Sequence, residues 1–166
     1  MQITIGWLYS SLMNIYGDRG NVLTLEQRAR WRGLTPEVRT IGIGQPIPPD
    51  IDVFFFGGGQ DQEQGAVAAD LQGAKGDALK QAIEDGSAML AVCGGYQFLG
   101  HGYQPHQGPV LPGIGVFDAM TVAGSERFIG NVIVDSQFGE LVGFENHSGL
   151  TTLGPAATLA RGYAVV

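Results

Sequence analysis

Cysteine is almost absent from this chain: Cys93 is the only one in 166 residues. No disulfide can form within the chain, and nothing points to an oxidising compartment. Charge is also scarce. Only 15% of residues are charged while 44% are hydrophobic, which excludes disorder and suits a sheet covered on both faces. Positive charge is the scarcer sign, with nine Lys and Arg against sixteen Asp and Glu and a net charge of −7. There is no basic stripe of the kind that nucleic acid demands. Arg28, Arg30 and Arg32 cluster, but they alternate along a predicted amphipathic helix and read as its solvated face. No apolar run approaches the roughly 18 residues needed to cross a bilayer. The N-terminal MQITIGWLY lacks a basic n-region and reads as a first strand, not a signal peptide. A soluble cytoplasmic protein is the expectation. No metal-ligand cluster is visible, and the GGG before Gln60 is not Gly-x-x-x-x-Gly-Lys, so no metal and no ATP site are expected in this chain.

Glycine, by contrast, is plentiful at 27 residues, many of them directly after apolar runs, where α/β proteins turn from strand into helix or loop. QITIGWLY is a predicted strand that runs into a long polar loop, SSLMNIYGDRGN. Residues 22–32 carry a helical pattern in which Val22, Leu25, Ala29 and Arg32 share a face, stopped by Gly33. EVRTIGI is a second strand, and the continuous apolar run IDVFFF has the signature of a central parallel strand buried on both faces. A helix is expected over much of 66–85, weakened by Gly73 and Gly76, and SAMLAV is the next buried strand. This order predicts a doubly wound, mostly parallel α/β sheet. Beyond residue 113, two strands joined by a turn at Ala123–Glu126 predict a hairpin-like insertion after the second glycine-rich turn. LVGFENHSGLTTL and ATLARGYAVV read as further extended pieces, and no linker divides the single domain expected over 1–166.

The stretch AVCGGYQFLG places Cys93 between an apolar strand and an apolar-rich helix, with Gly94 and Gly95 immediately after it. A nucleophile at the apex of such a turn sits in strained backbone and needs small neighbours. The helix that follows aims N–H groups and its positive end at the sulfur, which favours thiolate. The N–H of Gly94 supplies half of an oxyanion hole, and the glycines of FFFGGGQ, with Gly58 at their centre, are placed to supply the other half.

AVCGGYQFLG resembles the elbow of class I (triad) glutamine amidotransferases, whose pattern is Cys-x-Gly-x-Gln. LYSSLMNIYGDRGNV at 8–22, FFFGGGQDQEQ at 54–64, SERFIGN at 125–131 and GFENHSG at 143–149 place the resemblance in the cobyric-acid-synthase-like branch, and within it nearest to the glutaminase subunits of lipid II isoglutaminyl synthase. The resemblance implies a flavodoxin-like fold and hydrolysis of L-glutamine to glutamate and ammonia through a Cys93 thioester. It also implies a Mur-ligase-like partner subunit that binds ATP and Mg and amidates the D-glutamate of the lipid II stem peptide in peptidoglycan synthesis. By the same resemblance Arg127 holds the glutamine substrate, and its fork suits an α-carboxylate. Gln97 and Gln60 either contact substrate or brace the loops.

The family's base is a histidine on a later His-Gly segment, beyond GFENH. His101, His106 and His147 are the chain's histidines; the first two read as loop residues, and His147 belongs to the motif that precedes the family base. The expectation is a truncated chain; the alternative is a complete chain whose base comes from elsewhere, and His147 is a secondary candidate for a substitute base. Two other readings stand beside the glutaminase subunit. One is an interaction protein that keeps the scaffold without a working base. The other is the amidotransferase of cobyric or cobyrinic acid synthesis, against which the long LYSSLMNIYGDRGN loop argues.

Overall fold

The computed structural model describes residues 1–15, 17–154 and 160–164, with 61, 62 and 160–164 described by backbone alone. Four strands form a wholly parallel sheet: β1 (Gln2–Leu8), β2 (Thr35–Ile41), β3 (Val53–Phe56) and β4 (Ala88–Ala91), in the order β2-β1-β3-β4. Phe54, Phe55 and Phe56 are fully buried, as the unbroken apolar run requires for a strand with neighbours on both sides. The expectation for SAMLAV needs correcting. Among the described residues β4 is an edge strand paired with β3 alone, so Leu90 is exposed.

Helix α1 (Asp18–Trp31) starts four residues earlier than its apolar periodicity suggests. Gly17 enters it through a left-handed backbone (φ 78°), and Asp18 in the first turn complements the positive end of the helix. Val22 and Ala29 are buried as expected, Leu25 is half-buried, and Arg32 is an exposed cap. The single helix expected over 66–85 is two, α2 (Asp61–Asp70) and α3 (Ala74–Glu84). The break falls at Gly73 (φ 70°). Gly76 is a close-packing residue inside α3, because a Cβ there would collide with the Leu71 carbonyl.

At the carboxyl ends of β1 and β2 a polar knot locks the sheet to α2 and α3. The Tyr9 hydroxyl donates to Asp70 at 2.8 Å, the Gly44 N–H donates to the same carboxylate at 2.8 Å, and Lys75 pairs with it at 2.5 Å. The Lys75 ammonium also lies 4.6 Å from the centre of the Tyr9 ring. Burial, then the bond to Asp70, pushes the Tyr9 hydroxyl far above its ordinary pKa. Burial alone would raise the Asp70 carboxyl, but the bonds from Lys75, Gly44 and Tyr9 outweigh it and hold the group below its usual range. Tyr9 itself takes a positive φ of 50°, which turns the chain sharply out of β1.

Helix α4 (Gly94–Leu99) leads into a second sheet made of β5 (Gly102–Gln104), β6 (Leu111–Pro112), β7 (Ala119–Ser136), β8 (Gly139–Leu153) and β9 (Ala160–Ala164). Its order is β6-β5-β7-β8, with β9 antiparallel to β7. The turn expected at 123–126 is instead a register shift between Ala123 and Phe128 within one long hairpin arm. The chain reverses at 136–139, where Gly139 has φ 98° and the Ser136 hydroxyl donates to the Gly139 carbonyl at 2.8 Å. A Gly-Ser-Glu run between apolar segments suits a β-bulge as well as a turn, and the longer ladder decides for the bulge. Of the extended piece expected at 157–166, residues 160–164 are β9; the others lie outside the described residues. No helix among the described residues is long and apolar enough to cross a membrane.

Candidate active site

Cys93 stands at the sharp turn between β4 and α4 with φ 54° and ψ −119°, a conformation that L-residues avoid. The strain is maintained by backbone packed around it. The Gly95 N–H is shared between the carbonyls of Gly57 at 3.0 Å and Val92 at 3.1 Å, which ties the elbow to the loop after β3. Gly95 must be glycine, since a Cβ would strike the Phe56 carbonyl and come within 2.9 Å of the Gly57 oxygen. Gly94 is buried, and its N–H makes no hydrogen bond among the described residues, as expected of the first turn of a helix. Cys93 is exposed, so the strained turn presents the thiol to a ligand.

The loop Gly57–Gly58–Gly59 is pressed in turn by the segment after β1. A Cβ on Gly57 would collide with the Met13 carbonyl and lie 2.7 Å from the Asp18 carboxyl carbon. One on Gly59 would strike the Met13 sulfur, while a Cβ on Gly94 would lie 3.0 Å from the Met13 methyl. Asp18, from the stretch NIYGDRGN that has no catalytic pattern of its own, is therefore buried against the glycine loop.

A cavity of about 480 Å³ opens over Cys93. Four residues singled out in the sequence line it together: Cys93, Gln97, Arg127 and His147. The first two come from the elbow and α4, the others from β7 and β8. Arg127 is held by its Nε, which donates to Asn146 Oδ1 at 2.8 Å; its two terminal nitrogens make no hydrogen bond among the described residues. Phe144 and Asn146 also line the space. His147 Nδ1 faces the Gly149 carbonyl at 3.1 Å and Nε2 faces Glu145 at 3.2 Å, so both ring nitrogens are directed at oxygens of its own strand.

The remaining candidates lie outside the cavity lining. Gly58 is buried, and the adjacent Gly59 is the glycine that lines the space. Gln60 is exposed at the start of α2, where its carbonyl accepts the Gln64 N–H at 3.0 Å. His101 pairs with Asp118 at 2.9 Å, and neither it nor the exposed His106 lines the cavity. Gln64 does line it and was not among the sequence candidates. Its position directly after a glycine-rich loop was the available signal, but a Gln-Glu-Gln run reads as a solvated helix face.

A thiol at a strained elbow, a glycine loop bonded to that elbow, and a guanidinium across the cavity make an arrangement suited to acyl transfer from a small carboxylate-bearing amide. Residues 4–164 match the model of the CobB/CobQ-like glutamine amidotransferase domain. The chain belongs to that family. It is 42% identical over 152 residues to the lipid II isoglutaminyl synthase (glutamine-hydrolyzing) subunit GatD of Staphylococcus aureus, covering 90% of this chain and 62% of that one. With the subunit of the same name from Streptococcus pneumoniae the identity is 39%, over 92% of this chain and 60% of that one. The cobyric acid synthase of Cereibacter sphaeroides is 30% identical over 90% of this chain and 31% of that one. The chain thus spans about three fifths of the length of the two GatD relatives. A solved glutamine amidotransferase superposes with a TM-score of 0.59 at 17% identity, covering 95% of this chain and 79% of that one, which supports the fold expected from the sequence.

Proposed function

We propose that this chain is the glutaminase part of a lipid II amidating enzyme. Cys93 Sγ attacks the side-chain amide carbon of glutamine, the thiol proton passes to a base and then to the leaving nitrogen, and ammonia departs. Water then cleaves the thioester and releases glutamate. The carbonyl oxygen is held by the Gly94 N–H and by the glycine loop, where Gly58 or Gly59 donates. Arg127, steadied by Asn146, takes the substrate α-carboxylate. Gln97, in the cavity, contacts the substrate, while Gln60 braces the start of α2. The ammonia passes to a Mur-ligase-like partner in the cytoplasm, which carries ATP and Mg and activates the D-glutamate carboxyl of the stem peptide.

The observation that carries this reading is Cys93 at φ 54° in one cavity with Arg127. Its support for lipid II over corrin amidation is the higher identity to the GatD subunits than to cobyric acid synthase. His147 must first release Glu145 or Gly149, so a base brought from beyond these 166 residues, on a longer form of the chain or on a partner, fits the geometry better. That same observation favours the second reading, an amidotransferase-like binding protein without turnover.

Glutamate release from glutamine in the presence of a Mur-ligase-like subunit separates the two. Release is expected with the native thiol and at least about a thousandfold less with Cys93→Ala. No release, or release unchanged in the variant, rules out the enzyme reading.

A further inference from the structure

Gln64 is only 4% exposed, yet it carries an amide into the seam between the two glycine turns. Its Nε2 donates to the Gly59 carbonyl at 2.8 Å. The same nitrogen lies 3.0 Å from where a Gly94 Cβ would be, so the amide touches the elbow as well as the loop. Its Oε1 is shut away from solvent with no hydrogen-bond partner among the described residues. A group retained merely to fill that space would be better served by leucine or methionine, which bury no unmatched acceptor. Among the described residues, the one bond the amide makes goes to Gly59.

We propose that Gln64 is a positioning residue that clamps the glycine loop against the nucleophile elbow and so sets the spacing of the oxyanion hole. A planar trans peptide points its C=O and N–H in opposite directions. Holding the Gly59 carbonyl toward Gln64 therefore turns the Gln60 N–H of the same peptide away from it and fixes one side of Gly59, whose own N–H on the other side is a candidate oxyanion donor. Because the Gln64 N–H also closes the first turn of α2 on the Gln60 carbonyl at 3.0 Å, loop and helix are held as one rigid piece. Met13, in contact range of both glycines, packs the same seam from the β1 side. The clamp deepens the glutaminase reading, and its kinetic consequence rests on that reading; its structural consequence does not.

Hydrogen exchange of the peptide spanning 57–60 tests the clamp directly. Gln64→Leu should speed exchange there at least about tenfold while β1 and α3 stay protected; unchanged exchange overturns the proposal. In a preparation that hydrolyses glutamine, Gln64→Leu should lower kcat by roughly 10- to 100-fold with KM for glutamine within about threefold. A change confined to KM overturns it. Gln64→Glu supplies a donor to Gly59 only when its carboxyl is protonated, and burial keeps that form to a higher pH than usual. Its kcat relative to the native chain should rise as the pH falls from about 8 to about 5; a flat ratio overturns the proposal, and this variant decides the matter if Gln64→Leu fails to fold. A native chain that hydrolyses no glutamine would refute the glutaminase reading alone and leave the clamp to the exchange measurement.

Discussion

The two sheets build opposite halves of one cavity by opposite means. The parallel sheet contributes mostly backbone: the elbow, the Gly57–Gly59 loop and the bond from the Gly95 N–H to the Gly57 carbonyl. Its side chains are sunk in a core around Phe54, Phe56 and Phe98. The hairpin sheet contributes side chains on an open ribbon, Arg127, Phe144, Asn146 and His147, and leaves apolar groups such as Ile129 (62% exposed) and Val142 (83%) in solvent. The difference separates two kinds of dependence. On the backbone side, chemistry and stability rest on the same contacts. On the ribbon side, recognition rests on groups whose removal costs the fold little.

The contrast is sharpest at Gly95. Gly95→Ala forces a methyl into the Phe56 carbonyl and should destabilise the chain by about 3 kcal/mol, a fall in Tm of roughly 6–10 °C, with loss of thiol-dependent hydrolysis. An unchanged Tm would break the comparison on its backbone side. Arg127→Ala should do the reverse, raising KM for glutamine by about 50- to 100-fold while Tm moves by no more than roughly 1 °C. Unaltered affinity would refute its assigned role, and a large fall in Tm would show that the ribbon is not the separable half.

The smallest expected effect concerns the polar knot beneath the β1 turn. Asp70→Asn should cost about 1 kcal/mol at neutral pH, because the amide oxygen keeps an acceptor for the donors around it while the charge is lost. The folded carboxyl is depressed below its usual value of 3.8, so its contribution is present above that pH and fades as acid protonates the folded form. Denaturation curves of the two proteins should therefore converge below about pH 4. A gap that persists unchanged into acid would mean that the Asp70 charge carries none of it.

Backbone-determined features were the legible ones. An apolar strand, a cysteine, two glycines and an apolar helix can hardly be arranged otherwise than as an elbow, and Phe54–Phe56 can hardly be other than central. What the sequence concealed were polar groups in non-surface roles. Asp18 and Gln64 look solvated in their local runs and are buried only because the β1 loop and α2 converge on the glycine turns. The edge position of β4 was hidden for a related reason, since strand order depends on pairings across the whole sheet. The bulge at 123–128 looked like a turn because Gly-Ser-Glu satisfies either, and only the ladder with β8 decides. Arg127 came into view by family resemblance, its own neighbourhood giving no hint of a binding role.

The positive φ of Cys93 has an evolutionary consequence. Holding a side chain at 54° and −119° costs on the order of 1–3 kcal/mol, which glycine at that position would largely avoid. Selection for folding alone thus works against the cysteine in every generation, and only selection for its thiol retains it. Lineages that keep this scaffold for binding and give up turnover should drift toward glycine at the apex, so the residue found there is a record of whether the chemistry is still in use.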